Sequence, residues 1–237
     1  MTMAMPVARQ RPFVPVLREG DAVPALGLLD QRGRFFSFGD ARARTTIVSF
    51  IYTRCRDAQM CAVVAAKFAR MQQQLRGTSV RLATLTLDPT GDTPAVLERY
   101  GRRFGADATR WSLVTGRAER VNELVARFGI VVGTPRPGVI AHTEAAIVLD
   151  PAGRVATIVD GATWLPDDLL AAADEVAAVS SDPMQRLHLW LSSSASALCG
   201  ARGSTPLSVA AGLGILGLTV AALALAFRRL FRSAAAR

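Results

Sequence analysis

The stretch "TTIVSFIYTRCRDAQMCAVVAAKF", residues 45–68, contains a strand, a loop and the start of a helix, in that order. Its first part is a continuous apolar run rich in β-branched residues, which predicts a strand buried on both faces of a sheet. Its last part opens a segment, residues 61–75, in which apolar side chains recur at helical spacing. Two cysteines, Cys55 and Cys61, lie in the connection between strand and helix.

Strand and helix patterns continue to alternate along the chain. Asp92 or Thr93, followed by Pro94, predicts a helix start, because a side-chain cap and a proline in the first turn both favour initiation. The other predicted elements are a hairpin at 25–38, strands at 80–87, 111–116, 140–150 and 154–161, and helices at 92–105, 117–129 and 165–178. We therefore expect an α/β domain over residues 20–178, whose mixed sheet is parallel in its first half and antiparallel at its end.

The composition argues against two classes of protein. The formal net charge is +9, but a single lysine, Lys67, stands among 28 basic residues, and the domain contains no run of basic residues interleaved with aromatics. We therefore expect no nucleic-acid surface. Three cysteines are too few for a scaffold held together by disulfides, so the domain must fold on its own core.

A segment of a different kind follows the domain. Residues 207–227 carry no charged side chain, and an apolar helix of this length rises about 30 Å, enough to cross the hydrocarbon core of a bilayer. We expect an N-terminal extension at 1–19, a linker at 179–205, a transmembrane helix at 206–227 and a basic tail at 228–237.

The arginines of the basic tail set the expected orientation. Basic flanks of a membrane helix remain in the cytoplasm, so we expect a single-pass membrane protein with its tail in the cytoplasm and its domain on the periplasmic side. Residues 1–21 contain no apolar stretch long enough for a secretory signal. The route of export, and the alternative of a cytosolic domain on a C-terminal anchor, therefore stay open.

The two cysteines are predicted to lie at the sheet edge where open α/β folds place their sites. Because Cys61 begins a helix, the helix dipole favours thiolate at that sulfur. The neighbouring Arg54 and Arg56 add positive charge, which makes cysteine sulfurs nucleophilic and metal-binding. On these features alone, Cys55 and Cys61 could be a redox pair, a metal clamp or two buried cysteines without a function.

A metal clamp would need a third ligand. Two thiolates select soft ions, and one nitrogen donor would complete a trigonal site suited to Cu(I). Of the two histidines, His188 lies in the segment before the membrane helix, where we expect a surface role. His142 begins a predicted strand whose entry loop can lie over the cysteine loop, so it is the candidate ligand, although a structural role is the alternative.

Three motifs occur in the order typical of a known family. They are "VSFIYTRC" at 48–55, "TLTLDPTGDTPAVLERYGRRFGA" at 84–106 and "HTEAAIVLDPAGRV" at 142–155. Through these motifs the chain resembles the Sco/SenC family of thioredoxin-like proteins over residues 20–178. The resemblance implies a copper-binding, thiol-active protein that helps to assemble the dinuclear copper centre of cytochrome oxidase.

The resemblance also implies roles for single residues. Two cysteines and a distal histidine bind one copper ion in the family, which gives Cys55, Cys61 and His142 as ligands here. The partner would be the oxidase subunit that carries the dinuclear copper centre. Asp88 and Asp92 match an acidic pair of the family, and we interpret them as structural, with Asp92 capping a helix.

The chain departs from the family pattern at the cysteine loop. The spacer has five residues, whereas the common family spacing is C-x-x-x-C, and Arg56 and Ala62 stand where the family has prolines. Without prolines the loop is expected to be less pre-organised. The predicted anchor is also C-terminal, whereas the family has an N-terminal one.

Three functions remain as hypotheses. The first is a membrane-anchored copper chaperone or metallation factor. The second is an enzyme, a thiol–disulfide oxidoreductase in which Cys55 or Cys61 attacks a partner disulfide and the other sulfur resolves it. The third is a peroxidase-like enzyme, for which Thr53 and Arg54 are nearby. His142 discriminates between the first two, because copper binding requires it and thiol exchange does not.

Overall fold

The structure is a computed structural model that describes residues 14–39, 44–55, 57, 60–136 and 139–181. These residues belong to one compact unit, Met1–Pro183. The predicted membrane helix and basic tail, together with His188 and Cys199, lie outside the described residues. None of the helices in the described part of the chain has the length and apolar character needed to cross a bilayer.

The described residues form nine strands and four helices, which follow the predicted alternation. In chain order they are β1 Leu28–Asp30, β2 Phe35–Phe36, β3 Thr45–Ile51, α1 Cys61–Gln74, β4 Val80–Thr86, α2 Pro94–Arg103, β5 Trp111–Gly116, α3 Ala118–Arg127, β6 Val132–Arg136, β7 Val139–His142, β8 Ala145–Leu149, β9 Val155–Asp160 and α4 Pro166–Ser181.

Seven of these strands form one mixed sheet in the order β2-β1-β5-β4-β3-β8-β9. The three central strands β3, β4 and β5 run parallel, and the outer strands are antiparallel to their neighbours. The predicted α/β fold with a mixed central sheet flanked by helices is therefore confirmed. Strand β3 is buried at all seven positions, which explains why "TTIVSFI" reads as a continuous apolar run rather than an alternating one.

Helix α1 packs its apolar face against this sheet. The side chains at the predicted helical spacing, Val64, Phe68 and Met71, are all buried. The ring of Phe68 lies 5.7 Å from the ring of Trp111 in β5 and 6.1 Å from that of Trp164, measured between centroids. Because α1 begins at Cys61, this packing also fixes the position of the second cysteine.

The parallel register of β3 and β4 positions the site. Ile51 pairs with Thr86 at the carboxyl ends of the two strands, and the backbone N–H of Leu87 donates to the carbonyl of Ile51 at 2.8 Å. The segments that follow the two strands, residues 52–55 and 87–92, therefore leave the sheet side by side.

One predicted strand is corrected, and one strand appears that was not predicted. The predicted strand at 140–150 is interrupted: β7 ends at His142 and pairs with β6 in a separate two-stranded sheet, and β8 begins at Ala145. The polar residues Thr143 and Glu144 fill the break. Strand β6 was not predicted because its sequence, "VGTPR", contains glycine and proline and all five residues are exposed, so no apolar pattern marks it.

The cap of α2 is Thr93 rather than Asp92. The side chain of Thr93 accepts a hydrogen bond from the backbone N–H of Val96, and Pro94 occupies the first turn, as the sequence pattern predicts. The role of helix cap assigned to Asp92 is therefore wrong. Its carboxylate turns towards Thr53 and Thr86 instead.

Candidate metal and thiol site

The two cysteines lie together at the carboxyl edge of the parallel strands. After β3 ends, the backbone N–H of Cys55 donates to the carbonyl of Tyr52 at 3.2 Å, so a tight turn follows the strand directly. Cys61 is the first residue of α1. Both thiols are free, and Cys55 lies close enough to Cys61 to help raise the pKa of its thiol.

The two sulfurs differ in accessibility. Cys61 is 2% exposed, and burial raises the pKa of its thiol, although a hydrogen bond from the backbone of Tyr52 acts in the opposite direction. The expectation that the helix start favours thiolate at Cys61 is therefore wrong, because desolvation outweighs the helix dipole. Cys55 is only partly buried, and its Sγ donates to the carbonyl of Asp57 at 3.7 Å. Cys55 is thus the sulfur that a partner can reach.

The positive charge predicted beside Cys55 is engaged with an acid. The Nε and Nη2 atoms of Arg54 donate to Oδ2 of Asp88 at 3.1 and 2.5 Å. The side chain of Arg54 is nevertheless 65% exposed, so water screens its charge at the thiols. Arg56 lies outside the described residues.

Tyr52 connects the thiols to the imidazole. Burial is the largest of the causes that raise the pKa of its hydroxyl, and the neighbouring Cys55 side chain adds to it. The ring of Tyr52 also packs edge to face against the ring of His142, with the centroids 6.2 Å apart. The sequence analysis did not single out Tyr52, although its place directly after a buried strand and before Cys55 was a usable signal.

His142 is held as a neutral imidazole. Its side chain is 1% exposed, and burial lowers its pKa below the ordinary value. Nδ1 lies 2.8 Å from the carbonyl of Thr143. Because a carbonyl can only accept, Nδ1 carries the hydrogen and Nε2 carries the lone pair. Nε2 is buried and has no hydrogen-bond partner among the described residues, so it is the atom available to a metal ion.

Glu144 is a second buried polar group next to the imidazole. Its Oε2 lies 3.6 Å from Nδ1 of His142, and neither carboxyl oxygen has a hydrogen-bond partner in the described part of the chain. Burial raises the pKa of Glu144 to about 8, against the opposing charge of Lys67. At pH 7 both Glu144 and His142 are therefore mostly neutral, and their contact is not an ion pair.

Lys67 lies in helix α1, as Cys61 does, and its charge acts on Glu144. Its Nζ donates to the carbonyls of Ala162 and Trp164 at 2.6 and 2.8 Å. It also lies 4.3 Å from the ring centroid of Trp164. The hydrogen-bond partners of Lys67 are thus neutral carbonyl groups, and its positive charge lowers the pKa of Glu144 only by a long-range interaction.

The three predicted ligands are neighbours but do not converge on one point. Within the described residues, no three side chains of His, Cys, Asp or Glu lie close enough to hold a metal ion. Both the thiols and the imidazole contact Tyr52, which they share as a neighbour. The donor chemistry fits a soft ion, because two thiols and one neutral imidazole with a bare Nε2 are ligands that Cu(I) prefers. Binding by all three would require the cysteine loop or the β6–β7 hairpin to move.

Comparison with known proteins agrees with this fold. A family model described as SCO1/SenC matches residues 18–178. The SCO1 protein homolog of Bacillus subtilis (strain 168) is 22% identical over 148 residues, which cover 60% of this chain and 76% of that protein.

Two solved structures extend the comparison. ScoI of Bradyrhizobium japonicum, solved with copper bound, has a TM-score of 0.54 and 18% identity over 66% of this chain and 99% of that one. BsSco, a member of the Sco family of cytochrome c oxidase assembly proteins in which a disulfide switch was identified, has a TM-score of 0.58 and 20% identity over 69% of this chain and 98% of that one. At this level of identity the likeness shows the thioredoxin-like fold.

Proposed function

Because the chain belongs to the SCO1/SenC family, we propose that it binds one copper ion through Cys55, Cys61 and His142 and delivers it during assembly of cytochrome c oxidase. The partner in this proposal is the oxidase subunit that carries the dinuclear copper centre. The copper-bound ScoI and the oxidase-assembly role named for BsSco support the proposal, although both proteins are distant relatives.

One observation carries the proposal. A partly buried thiol and a fully buried thiol lie close together, and a nearby neutral imidazole keeps its Nε2 buried without a hydrogen-bond partner among the described residues. A buried nitrogen without a partner is costly, and a metal ion is the ligand that would relieve this cost next to two sulfurs.

Copper is cargo in this function, so the site must release it as well as bind it. Cys55 is the accessible sulfur, and it is the first to meet an incoming ion and the last to leave it. Cys61 must lose its proton to become a ligand, and burial makes this loss unfavourable. Transfer to a partner then proceeds by ligand exchange, one thiolate at a time.

Thiol–disulfide exchange is a second candidate function, favoured by the proximity of the two thiols. The Cys55 thiolate attacks a partner disulfide, forms a mixed disulfide and releases one partner thiolate. Cys61, after losing its proton, attacks the Cys55 sulfur, which closes the Cys55–Cys61 disulfide and releases the second partner thiolate. Their different exposure assigns attack to Cys55 and resolution to Cys61.

The membrane arrangement belongs to the same proposal. The apolar segment at 206–227 would anchor the chain, with the domain at 20–178 on the periplasmic side and the tail at 228–237 in the cytoplasm. The support comes from the sequence of these segments alone.

Copper titration of the reduced chain tests the proposal. All variants carry Cys199→Ser, so that the pair holds the only thiols. We expect one Cu(I) per chain, lost in Cys55→Ser, Cys61→Ser and His142→Ala, whereas His188→Ala serves as the matched histidine control and keeps it. His142→Ala should still form the Cys55–Cys61 disulfide. Copper binding by His142→Ala equal to that of the parent would refute the three-ligand site.

A further inference from the structure

The residues before Cys55 are bonded to a neighbouring segment of the structure. The spacer between the cysteines, residues 56–60, contains no proline, so its sequence does not restrict the backbone. Yet the Cys55 and Cys61 side chains lie close to each other. The bonded residues are Thr53 and Arg54, which precede Cys55.

Asp92 holds the first of these residues through two bonds. Its Oδ2 accepts from the backbone N–H of Thr53 at 3.0 Å, and its Oδ1 accepts from the Thr53 hydroxyl at 2.5 Å. The hydroxyl of Thr86, at the end of β4, donates to Oδ2 at 2.6 Å. Asp92 itself is 0% exposed. A fully buried carboxyl with three donors is a rigid anchor, because each lost donor leaves an oxygen with fewer partners than its burial requires.

The anchor is tied to the sheet on its other side. The Thr86 hydroxyl accepts from the backbone N–H of Asp88 at 2.9 Å, and the N–H of Asp92 donates to the carbonyl of Asp88 at 2.8 Å. Strand β4 therefore fixes the position of Asp92, and Asp92 in turn fixes the position of Thr53.

We infer that Asp92 is a positioning residue that holds Cys55 against Cys61 by fixing Thr53 in the turn after β3. This inference rests on the proposed use of the Cys55–Cys61 pair, in either of its two forms. Asp92 does not touch the sulfurs, and it acts only through the backbone of the turn. The buried anchor restricts the backbone directly before Cys55.

Arg54 contributes less than Thr53. Its bond to Asp88 lies at the surface, with 65% of the arginine side chain exposed, and exposed ion pairs contribute little. A Cβ at Gly91 would meet the Asp88 carboxylate and the Arg54 guanidinium. Gly91→Ala therefore disturbs the surface pair.

The equilibrium of the full chain with glutathione tests the inference. The dithiol reacts with glutathione disulfide to give the Cys55–Cys61 disulfide and two molecules of reduced glutathione, so that two electrons pass from the pair to glutathione. The Cys199→Ser background again leaves only this pair. The equilibrium constant measures the effective concentration of one thiol at the other.

We expect Thr53→Val to lower this effective concentration about tenfold, since the turn regains backbone freedom; this shifts the midpoint potential about 30 mV less negative. Asp92→Asn should act in the same direction. Thr53→Ser keeps the hydroxyl and should retain the parent value. Thr84→Val is the matched control, because it removes a buried hydroxyl bonded to Ser49 and Trp111 away from the loop.

A merely structural role makes a different prediction. If Thr53→Val lowers the melting temperature as Thr84→Val does but keeps the parent midpoint potential, Asp92 only stabilises the fold and the inference is overturned. Thr53→Val can be measured even if Asp92→Asn fails to fold. This outcome is independent of the copper titration, so a failed three-ligand site and a failed anchor are distinguishable.

Discussion

Replacement of Glu144 by glutamine isolates the effect of burying an acid beside the site. The carboxyl of Glu144 is 5% exposed and has no hydrogen-bond partner among the described residues. Burial raises its pKa from 4.5 to about 8. Between these two values the folded protein keeps a proton that the unfolded chain has lost. The contribution of Glu144 to stability is therefore fully present below pH 4.5 and is lost as the pH rises through about 8.

The magnitude follows from the slope of this linkage. Each pH unit inside the window costs at most about 1.4 kcal/mol of unfolding free energy. Between pH 5 and pH 7 the sum is about 2–3 kcal/mol. Glutamine occupies the same volume and cannot ionise, so Glu144→Gln should lack this slope and gain stability relative to the parent as the pH rises.

Urea unfolding of the reduced parent and Glu144→Gln at pH 5 and pH 7 measures the effect, with the fluorescence of the buried Trp111 and Trp164 as the signal. All other groups titrate in both proteins, so the difference between parent and variant isolates Glu144. Glu119→Gln is the control, because its side chain is 80% exposed. A parent-to-variant difference that is the same at both pH values would show that Glu144 ionises alike in the folded and unfolded chain, and the burial argument would fail.

Two further predictions concern the thiols and the core. Iodoacetamide should modify Cys55 at least about tenfold faster than Cys61, because Cys61 is 2% exposed and its thiol is kept neutral by burial. Peptide mass spectrometry of the reduced chain measures both rates. Equal rates would contradict the assigned order of attack. Phe68→Ala should lower the unfolding free energy by about 3–5 kcal/mol, because the ring is fully buried between Trp111 and Trp164. Phe35→Ala, at a ring that is 72% exposed, should change it by less than about 0.5 kcal/mol, and similar losses in urea unfolding for the two variants would contradict this view of the core.

The elements that the sequence predicted well are those whose burial leaves a local pattern. Strand β3 is buried on both faces and α1 on one, so the first is continuously apolar and the second is apolar at helical spacing. The β6–β7 hairpin has neither pattern, because β6 is fully exposed and β7 is only partly buried. Its pairing separates His142 from β8, a fact that no local signal reveals.

The site divides in the same way. The proximity of Cys55 and Cys61 follows from a short connection between two recognisable elements, so it could be predicted. The protonation of Cys61 could not, because the helix dipole is a local property whereas desolvation depends on every element packed over the sulfur. The surroundings of His142, formed by Tyr52 and Glu144, likewise depend on tertiary packing.

Burial gives the described site one common electrostatic character. It favours the neutral form of Cys61, His142 and Glu144 alike. A site of neutral donors avoids the cost of burying unpaired charge. In the proposed function, charge would enter only with the ion, since two thiols that bind one monovalent copper release two protons and leave a single net negative charge. The accessible sulfur of Cys55 would lie where this charge is best solvated, so the asymmetry that assigns attack to Cys55 in the proposed function would also make it the point at which copper enters and leaves.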